Sequence, residues 1–386
     1  MDHIQLLRRL EKVMEETDFA WSLCLVGEDQ SRKLADLTNA LKRPASTSGD
    51  EKQIASGYSY WGTEPAISWE QACRDRYYPV MKEGIDTFGR RWRSLWSEFS
   101  GNKNFHYVSL GPGTGEKDRS ILTSLHSENP TMFYVPVDMS AEMLRICLQP
   151  MSTLPFIRAF RSQMLPIQLD FSFEENVDEL NELRKRLTGD EPVLFSLLGN
   201  TMANFEDDIA LVERLSRQLL RPQDRLLVEV ATASQLDGST AEAAGREYAE
   251  SIAFCTFVTS ALHQCTDLSI DMENLQVETE VEGDRAILIK MLYRNRSGST
   301  MTMTLPDRQV VPFPDGDTIK LYVSRKYNRE ALKAALHDSE LGVENDLHHS
   351  QTGRGRAQFG LDLLLLSRRS STRPSTPAQD VFRRPR

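Results

Sequence analysis

Val108-Ser109-Leu110-Gly111-Pro112-Gly113-Thr114-Gly115-Glu116-Lys117 decides how this chain is read. An apolar run enters three glycines at alternate positions, and a helical pattern follows. Glycine lets the backbone turn tightly and leaves no Cβ between the main chain and a ligand. A helix starting there offers unsatisfied N–H groups. A turn that cradles a pyrophosphate has the spacing G-x-G-x-x-G. Here the spacing is G-P-G-T-G, with Glu116 directly behind it. A carboxylate at that place repels a pyrophosphate. It suits the ammonium and sulfonium end of S-adenosylmethionine. The plain alternative is a glycine-rich strand-to-helix turn with no ligand.

Outward from the loop, short apolar runs at 105–110, 133–138, 166–170, 193–198 and 226–230 predict strands. The segments 116–127, 140–152, 175–187 and 206–219 have helical spacing. Alternation at this rhythm predicts βαβ units, a parallel sheet and a doubly wound α/β core. Pro136 inside the second strand removes a ladder donor, so a bulge or a strand end is expected there. The second run ends in Asp138, about 20 residues after the loop, where a carboxylate accepts ribose hydroxyls. The third ends in Leu169-Asp170-Phe171. Asp170 is placed to accept from an adenine amino group, and Phe171 to cover the ring. Three consecutive strand ends with these groups predict a nucleoside site.

Farther out the pattern changes. Residues 3–20 predict an amphipathic helix, with Leu6, Leu7, Leu10 and Met14 on one stripe. Residues 43–55 predict a Ser/Gly/Pro-rich loop. Residues 56–100 carry Tyr58, Tyr60, Trp61, Trp69, Tyr77, Tyr78, Phe88, Trp92 and Trp96, which suits a helical cap that packs on the core and lines a pocket. Beyond 275, strands are expected at 285–293, 299–305, 319–323 and 359–366, and a helix at 328–337 capped by Asn328. They add antiparallel strands to the sheet or form a smaller α+β lobe. The expected organisation is a cap over 1–100, a nucleoside-binding core over 101–235, a substrate lobe with the C-terminal strands over 236–368, and a disordered tail over 369–386.

Composition excludes several classes. The 386 residues carry a net charge of −10, which disfavours a nucleic-acid partner. No apolar run reaches the roughly 20 residues that span a bilayer. Cys24, Cys73, Cys147, Cys255 and Cys265 form no C-x-x-C pair, and the seven histidines have no metal-ligand spacing. A reduced, cytoplasmic, metal-free protein is expected.

These motifs resemble the histidine Nα-methyltransferases of ergothioneine synthesis and their relatives that N-methylate dimethylallyltryptophan. Gly111-Pro112-Gly113-Thr114-Gly115-Glu116-Lys117 is similar to that family's loop, and Tyr134-Val135-Pro136-Val137-Asp138-Met139-Ser140 to its second-strand motif, Pro136 included. The resemblance implies a Rossmann-like class I methyltransferase core with a smaller α+β substrate-binding lobe. It implies S-adenosylmethionine held by Gly111, Gly113, Gly115, Lys117, Asp138, Asp170 and Phe171. Leu198-Gly199-Asn200-Thr201-Met202-Ala203-Asn204-Phe205 is similar to the segment whose Asn holds the substrate's amino acid moiety, a role that falls on Asn204. Tyr77-Tyr78-Pro79 resembles the element with a substrate-facing tyrosine, Tyr78. Arg246-Glu247-Tyr248 resembles the segment whose tyrosine meets the substrate carboxylate.

One departure is informative. The family's C-terminal strand has Glu-x-Ser, and both residues grip the imidazole. Here it reads Ile319-Lys320-Leu321-Tyr322-Val323-Ser324-Arg325-Lys326-Tyr327. Ser324 is kept and Tyr322 replaces the acid. Strand alternation puts Tyr322 and Ser324 on one face, opposite Ile319, Leu321 and Val323. Losing an ionic hydrogen bond costs an imidazole about 1.5–3 kcal/mol. The expected enzyme N-methylates a small amino-acid-like substrate other than histidine, with Tyr78 and Asn204 orienting the nitrogen and Tyr248, Tyr322 and Ser324 binding the rest. It works as a monomer or homodimer, without nucleic acid or membrane. The alternatives are an arginine guanidinium or another biosynthetic amino acid as acceptor, and an inactive methyltransferase fold that only binds.

Overall fold

A computed structural model describes residues 24–26, 30–43, 52–101, 104–351 and 358–369, with Gln5, Arg8, Arg9 and Lys12 as separate helical residues. The rest of the helix expected over 3–20, most of the 43–55 loop and the tail from 370 lie outside the described residues.

Two short strands, β1 (Leu25–Val26) and β2 (Lys52–Gln53), precede the core. The core strands are β3 (His106–Leu110), β4 (Tyr134–Asp138), β5 (Ile167–Gln168), β6 (Val193–Leu197) and β7 (Arg225–Ala233). Helices Glu116–Glu128, Ala141–Leu148, Glu174–Thr188 and Asp208–Leu219 carry the chain back between them. The strands are parallel, in the order β5-β4-β3-β6-β7. Every residue of β3, β4 and β6 is buried, as a sheet covered on both faces requires. Side chains alternate between those faces. Val108, Val135, Val137 and Phe195 join Val177, Leu180, Leu211 and Leu215 of two helices. Tyr107, Tyr134 and Leu194 join Phe88, Trp92, Ile121 and Leu125 on the other side. Strand order reverses between β3 and β6. Ligands of such sheets bind outside the strand carboxyl ends at that reversal.

The second half supplies β8 (Leu275–Glu282), β9 (Ala286–Arg294), β10 (Met301–Thr304), β11 (Val310–Phe313), β12 (Thr318–Tyr327), β13 (Leu341–Ser350) and β14 (Phe359–Arg368). β14 runs antiparallel along β7 from Leu226–Leu366 to Ala233–Phe359, and β13 pairs with its far edge. β12, β9 and β8 extend the same sheet, and β10 and β11 form a separate ribbon. β2 pairs with the start of β12, Lys52 opposite Ile319. Helices Thr63–Arg74, Gly238–Ala249 and Ile252–Cys265 contribute Trp69, Tyr248, Phe254 and Phe257 to one apolar cluster with Ile319, Leu321 and Tyr322.

Several expectations need correction. The helix expected over 140–152 ends at Leu148 and passes into a 3₁₀ turn at Pro150–Thr153. The strand expected over 166–170 is only Ile167–Gln168. Pro136 sits in the middle of β4, without a bulge. Its missing donor falls between the isolated Tyr134–Met164 bridge and the Val137–Ile167 pair, where β5 makes no ladder. Tyr322 and Ser324 do not simply oppose Leu321. The register slips between Lys320 and Tyr322, and Leu321 and Tyr322 share one apolar cluster. Strands β8, β11 and β13 and helices Gly238–Ala249 and Ile252–Cys265 were not expected from the sequence.

Candidate active site

The loop after β3 is built by left-handed backbone. Gly111, Gly113 and Gly115 have φ of 67°, 58° and 79°. The Gly111 N–H donates to the Val137 carbonyl at 2.9 Å, which ties the turn to β4. A Cβ on Gly115 would stand 2.2 Å from the Cys147 carbonyl oxygen. The backbone must therefore pass where only glycine fits. Gly115→Ala should destabilise the protein by about 2–4 kcal/mol through clash and positive-φ strain, read as a lower urea midpoint. The helix behind the loop is locked by Asp118, whose two oxygens accept from the hydroxyls of Tyr107 at 2.8 Å and Tyr134 at 2.6 Å.

A cavity of about 370 Å³ opens at the strand carboxyl ends. Of the residues expected in the site, Gly111, Gly113, Gly115, Lys117, Asp138, Asp170, Phe171 and Asn204 line it. Asp138 is 7% exposed, and its Oδ1 accepts from the Ser140 N–H at 2.9 Å. Burial pushes its carboxyl up to about 7, against the Ser140 hydrogen bond and Lys33, with Asp170 adding to the rise. A buried acid at this strand end is a strong acceptor awaiting donors. Asp170 turns one oxygen onto the Ser172 N–H at 2.9 Å. Trp69 also faces the cavity, and its buried Nε1–H has no partner among the described residues. The glycine cradle, the buried acid and this orphan donor fit an adenosyl cofactor.

Lys117 lines the cavity but aims its ammonium into a buried ion cluster. Glu229 on β7 takes Lys117 on Oε2 and Arg91 on Oε1, and Oε2 also accepts from the Gly199 N–H at 2.9 Å. Burial alone would raise the Glu229 carboxyl. The Lys117 and Arg91 charges outweigh it and hold it at about 2.

The remaining predicted residues lie behind the cavity wall. Tyr78, Tyr248, Tyr322 and Ser324 are buried and do not line it. Tyr60 is the link. Its hydroxyl accepts from Asn204 Nδ2 at 3.2 Å and meets the Tyr322 hydroxyl at 3.0 Å. A second chain runs alongside: Tyr248 Oη meets Ser324 Oγ at 2.9 Å, and Asn200 Nδ2 donates to Ser324 Oγ at 3.1 Å. The Tyr78 ring stands 5.5 Å from the Tyr248 ring. Burial raises the phenols of Tyr60, Tyr78, Tyr248 and Tyr322, so they remain neutral hydrogen-bonding groups.

Sequence reasoning named Tyr60 only as one of many aromatics. It missed Glu229, Arg91, Asn200 and Arg214. Asn200 holds φ at 64° and its side-chain Oδ1 accepts from the Ala231 N–H at 2.9 Å, pinning the loop that carries Asn204. Arg214 also lines the cavity, and its buried Nε has no partner among the described residues. Groups of His, Cys, Asp or Glu able to hold a metal are absent among the described residues. No helix among them is long and apolar enough to cross a membrane.

No curated protein matches the chain. Among solved structures it is similar to the CcbJ methyltransferase from Streptomyces caelestis, at 13% identity over 82% of this chain and 97% of that one, with a TM-score of 0.34. It is similar to the glycopeptide N-methyltransferase MtfA complexed with sinefungin, at 15% identity over 73% and 93%, with a TM-score of 0.33. A SAM-dependent methyltransferase from Anabaena variabilis shares 10% identity over 80% and 96%, with a TM-score of 0.40. The family model described as histidine-specific methyltransferase, SAM-dependent, matches residues 28–356. With its glycine cradle and buried acid at the switch of the sheet, the chain belongs to this S-adenosylmethionine-dependent methyltransferase family.

Proposed function

We propose that the protein N-methylates an amino acid or amino-acid-derived small molecule whose side chain is not an imidazole. The observation that carries this reading is the Asn204–Tyr60–Tyr322 hydrogen-bond chain at the cavity wall, which is neutral where a carboxylate would grip an imidazole. S-adenosylmethionine, when bound, supplies an electrophilic methyl group. Gly111, Gly113 and Gly115 hold its methionyl end above the Lys117–Glu229 pair, Asp138 its ribose hydroxyls, and Asp170 and Phe171 its adenine. Asn204 and Tyr60 orient the acceptor nitrogen, which must present a free lone pair. The tyrosines stay uncharged, so they position the amine rather than deprotonate it. Positioning alone supplies about 7–11 kcal/mol in well-oriented systems. Tyr78, Tyr248, Tyr322 and Ser324 complete the acceptor subsite from behind the wall. The protein acts in a reducing, cytoplasmic setting as a monomer or homodimer, without nucleic acid or membrane.

Mass spectrometry of a pool of amino acids and their derivatives with S-adenosylmethionine tests the reading. A methylated amine on a non-histidine substrate is expected, and methylation of histidine in preference to every other candidate would overturn it. Asn204→Ala should raise the acceptor KM about tenfold and leave S-adenosylhomocysteine affinity within about twofold, matching the loss of one hydrogen bond worth about 1–1.5 kcal/mol. Calorimetry showing a collapse of cofactor affinity would remove Asn204 from the acceptor side.

A further inference from the structure

A second groove, of about 460 Å³, opens at the other end of the sheet, where β6 and β7 begin. It lies at the C-terminal turns of helices Glu174–Thr188 and Asp208–Leu219. Its size is within the usual span of small-molecule pockets, about 300–1,000 Å³. Arg184, Lys185, Arg217, Arg221 and Arg368 line it, against the single acid Asp190. Such a concentration stands out on a chain with a net charge of −10.

Arg184 is the unusual member. The residue is 3% exposed. Its Nη2 donates to Asn181 Oδ1 at 2.5 Å, but its Nε and Nη1 have no partner among the described residues. The nearby acid cannot supply one. Asp224 accepts from the Val193 N–H at 2.8 Å and Arg221 Nη2 at 3.1 Å on Oδ1, and from Arg221 Nε at 2.9 Å on Oδ2. Arg221 is itself committed further, to the carbonyls of Gly189 and Glu191. The other cations make solvent-exposed pairs: Lys185 with Glu182 at 2.6 Å, Arg217 with Glu213 at 3.8 Å and Arg368 with Glu340 at 3.9 Å. Such pairs are weak in water and leave the side chains able to re-aim. A guanidinium does not shed its proton, and a buried charge calls for a counter-charge. Guanidinium groups also match phosphate oxygens in shape and are weakly hydrated.

We propose that this groove binds a small phosphate-type anion, whose charge neutralises Arg184 and which Lys185, Arg217 and Arg368 hold at the rim. The site is separate from the methyl-transfer cleft and adds a ligand to the protein rather than a step to its reaction.

Thermal denaturation and calorimetry of the full chain with pyrophosphate test it, with sodium chloride at equal ionic strength as control. Pyrophosphate at about 100 times its Kd should raise Tm by roughly 3 °C, with one site per chain. Arg184→Met should raise the ligand-free Tm, because a buried guanidinium with Nε and Nη1 lacking hydrogen-bond partners among the described residues is removed, and should abolish the pyrophosphate response. The exposed pair Lys185→Gln and Arg217→Gln should weaken pyrophosphate about tenfold and leave S-adenosylhomocysteine affinity unchanged. ADP binding more tightly than pyrophosphate would show an organic phosphate as the fitting ligand, and equal binding a bare anion. The proposal fails if chloride stabilises as well as pyrophosphate does. It also fails if Arg184→Met binds pyrophosphate as tightly as the parent, or lowers the ligand-free Tm with no pyrophosphate response in the parent.

Discussion

Glu229→Gln should destabilise the protein by about 3–5 kcal/mol, because it strands two buried cations. Arg91 and Lys117 both end on that carboxylate, and their side chains are 5% and 7% exposed, so water cannot replace it. The same oxygen that takes Lys117 also holds the Gly199 N–H. Losing it frees the start of the loop that carries Asn200 and Asn204. The variant should therefore lose stability and acceptor affinity together. The pH dependence has a definite sign. The folded carboxyl titrates at about 2, below its ordinary 4.5, so its contribution is complete above about 4.5 and disappears as pH falls toward 2. Urea midpoints between pH 7 and pH 3 should fall more steeply for the parent than for Glu229→Gln. Parallel curves would show that the cluster does not carry this stability.

Asp138→Asn should split stability from binding. The buried carboxyl titrates at about 7 in the cofactor-free protein, raised chiefly by burial. The folded state then holds the proton more tightly than the unfolded one. This group's contribution is fully present below about pH 4 and is lost as pH rises through about 7. Asparagine carries no charge to bury and keeps a carbonyl oxygen for the Ser140 N–H. At pH 8 the variant should be more stable than the parent, by up to about 4 kcal/mol, and at pH 4 nearly equal. Affinity for S-adenosylhomocysteine should fall roughly 10²-fold, the equivalent of about 2–4 kcal/mol for hydrogen bonds to an ionised acceptor. Denaturation at the two pH values with calorimetry at pH 8 checks both halves. A variant that is less stable at pH 8, or that binds undiminished, would refute the role given to Asp138.

What the sequence made legible was local. The glycine loop, the strand ending in Asp138 and the segment carrying Asn204 each sit within about ten consecutive residues, and their chemistry follows from their spacing. The β8 strand was missed although its valines alternate with glutamates, because an edge so acidic reads as solvated loop. The Leu321–Tyr322 face could not be read, because a bulge changes the period of two. Tyr60, Glu229 and Arg91 are different. Tyr60 reaches Tyr322 across 262 positions, and Arg91 reaches Glu229 across 138. Nothing near any of them in sequence marks the partner. The fold creates these meetings, one at the cavity wall and one beneath the glycine loop.

The long wait of β7 for its partner has a consequence for synthesis. Its apolar inner strand is complete at Ala233, but the neighbour that closes its edge is Phe359–Arg368. A ribosome adds about 5–20 residues per second, so a sticky, half-paired ribbon stands open for roughly ten seconds in each nascent chain. Overproduction at high temperature should send that ribbon into inclusion bodies. Holdase chaperones, and cooling that weakens apolar association, should recover it as soluble protein on fractionation of the lysate.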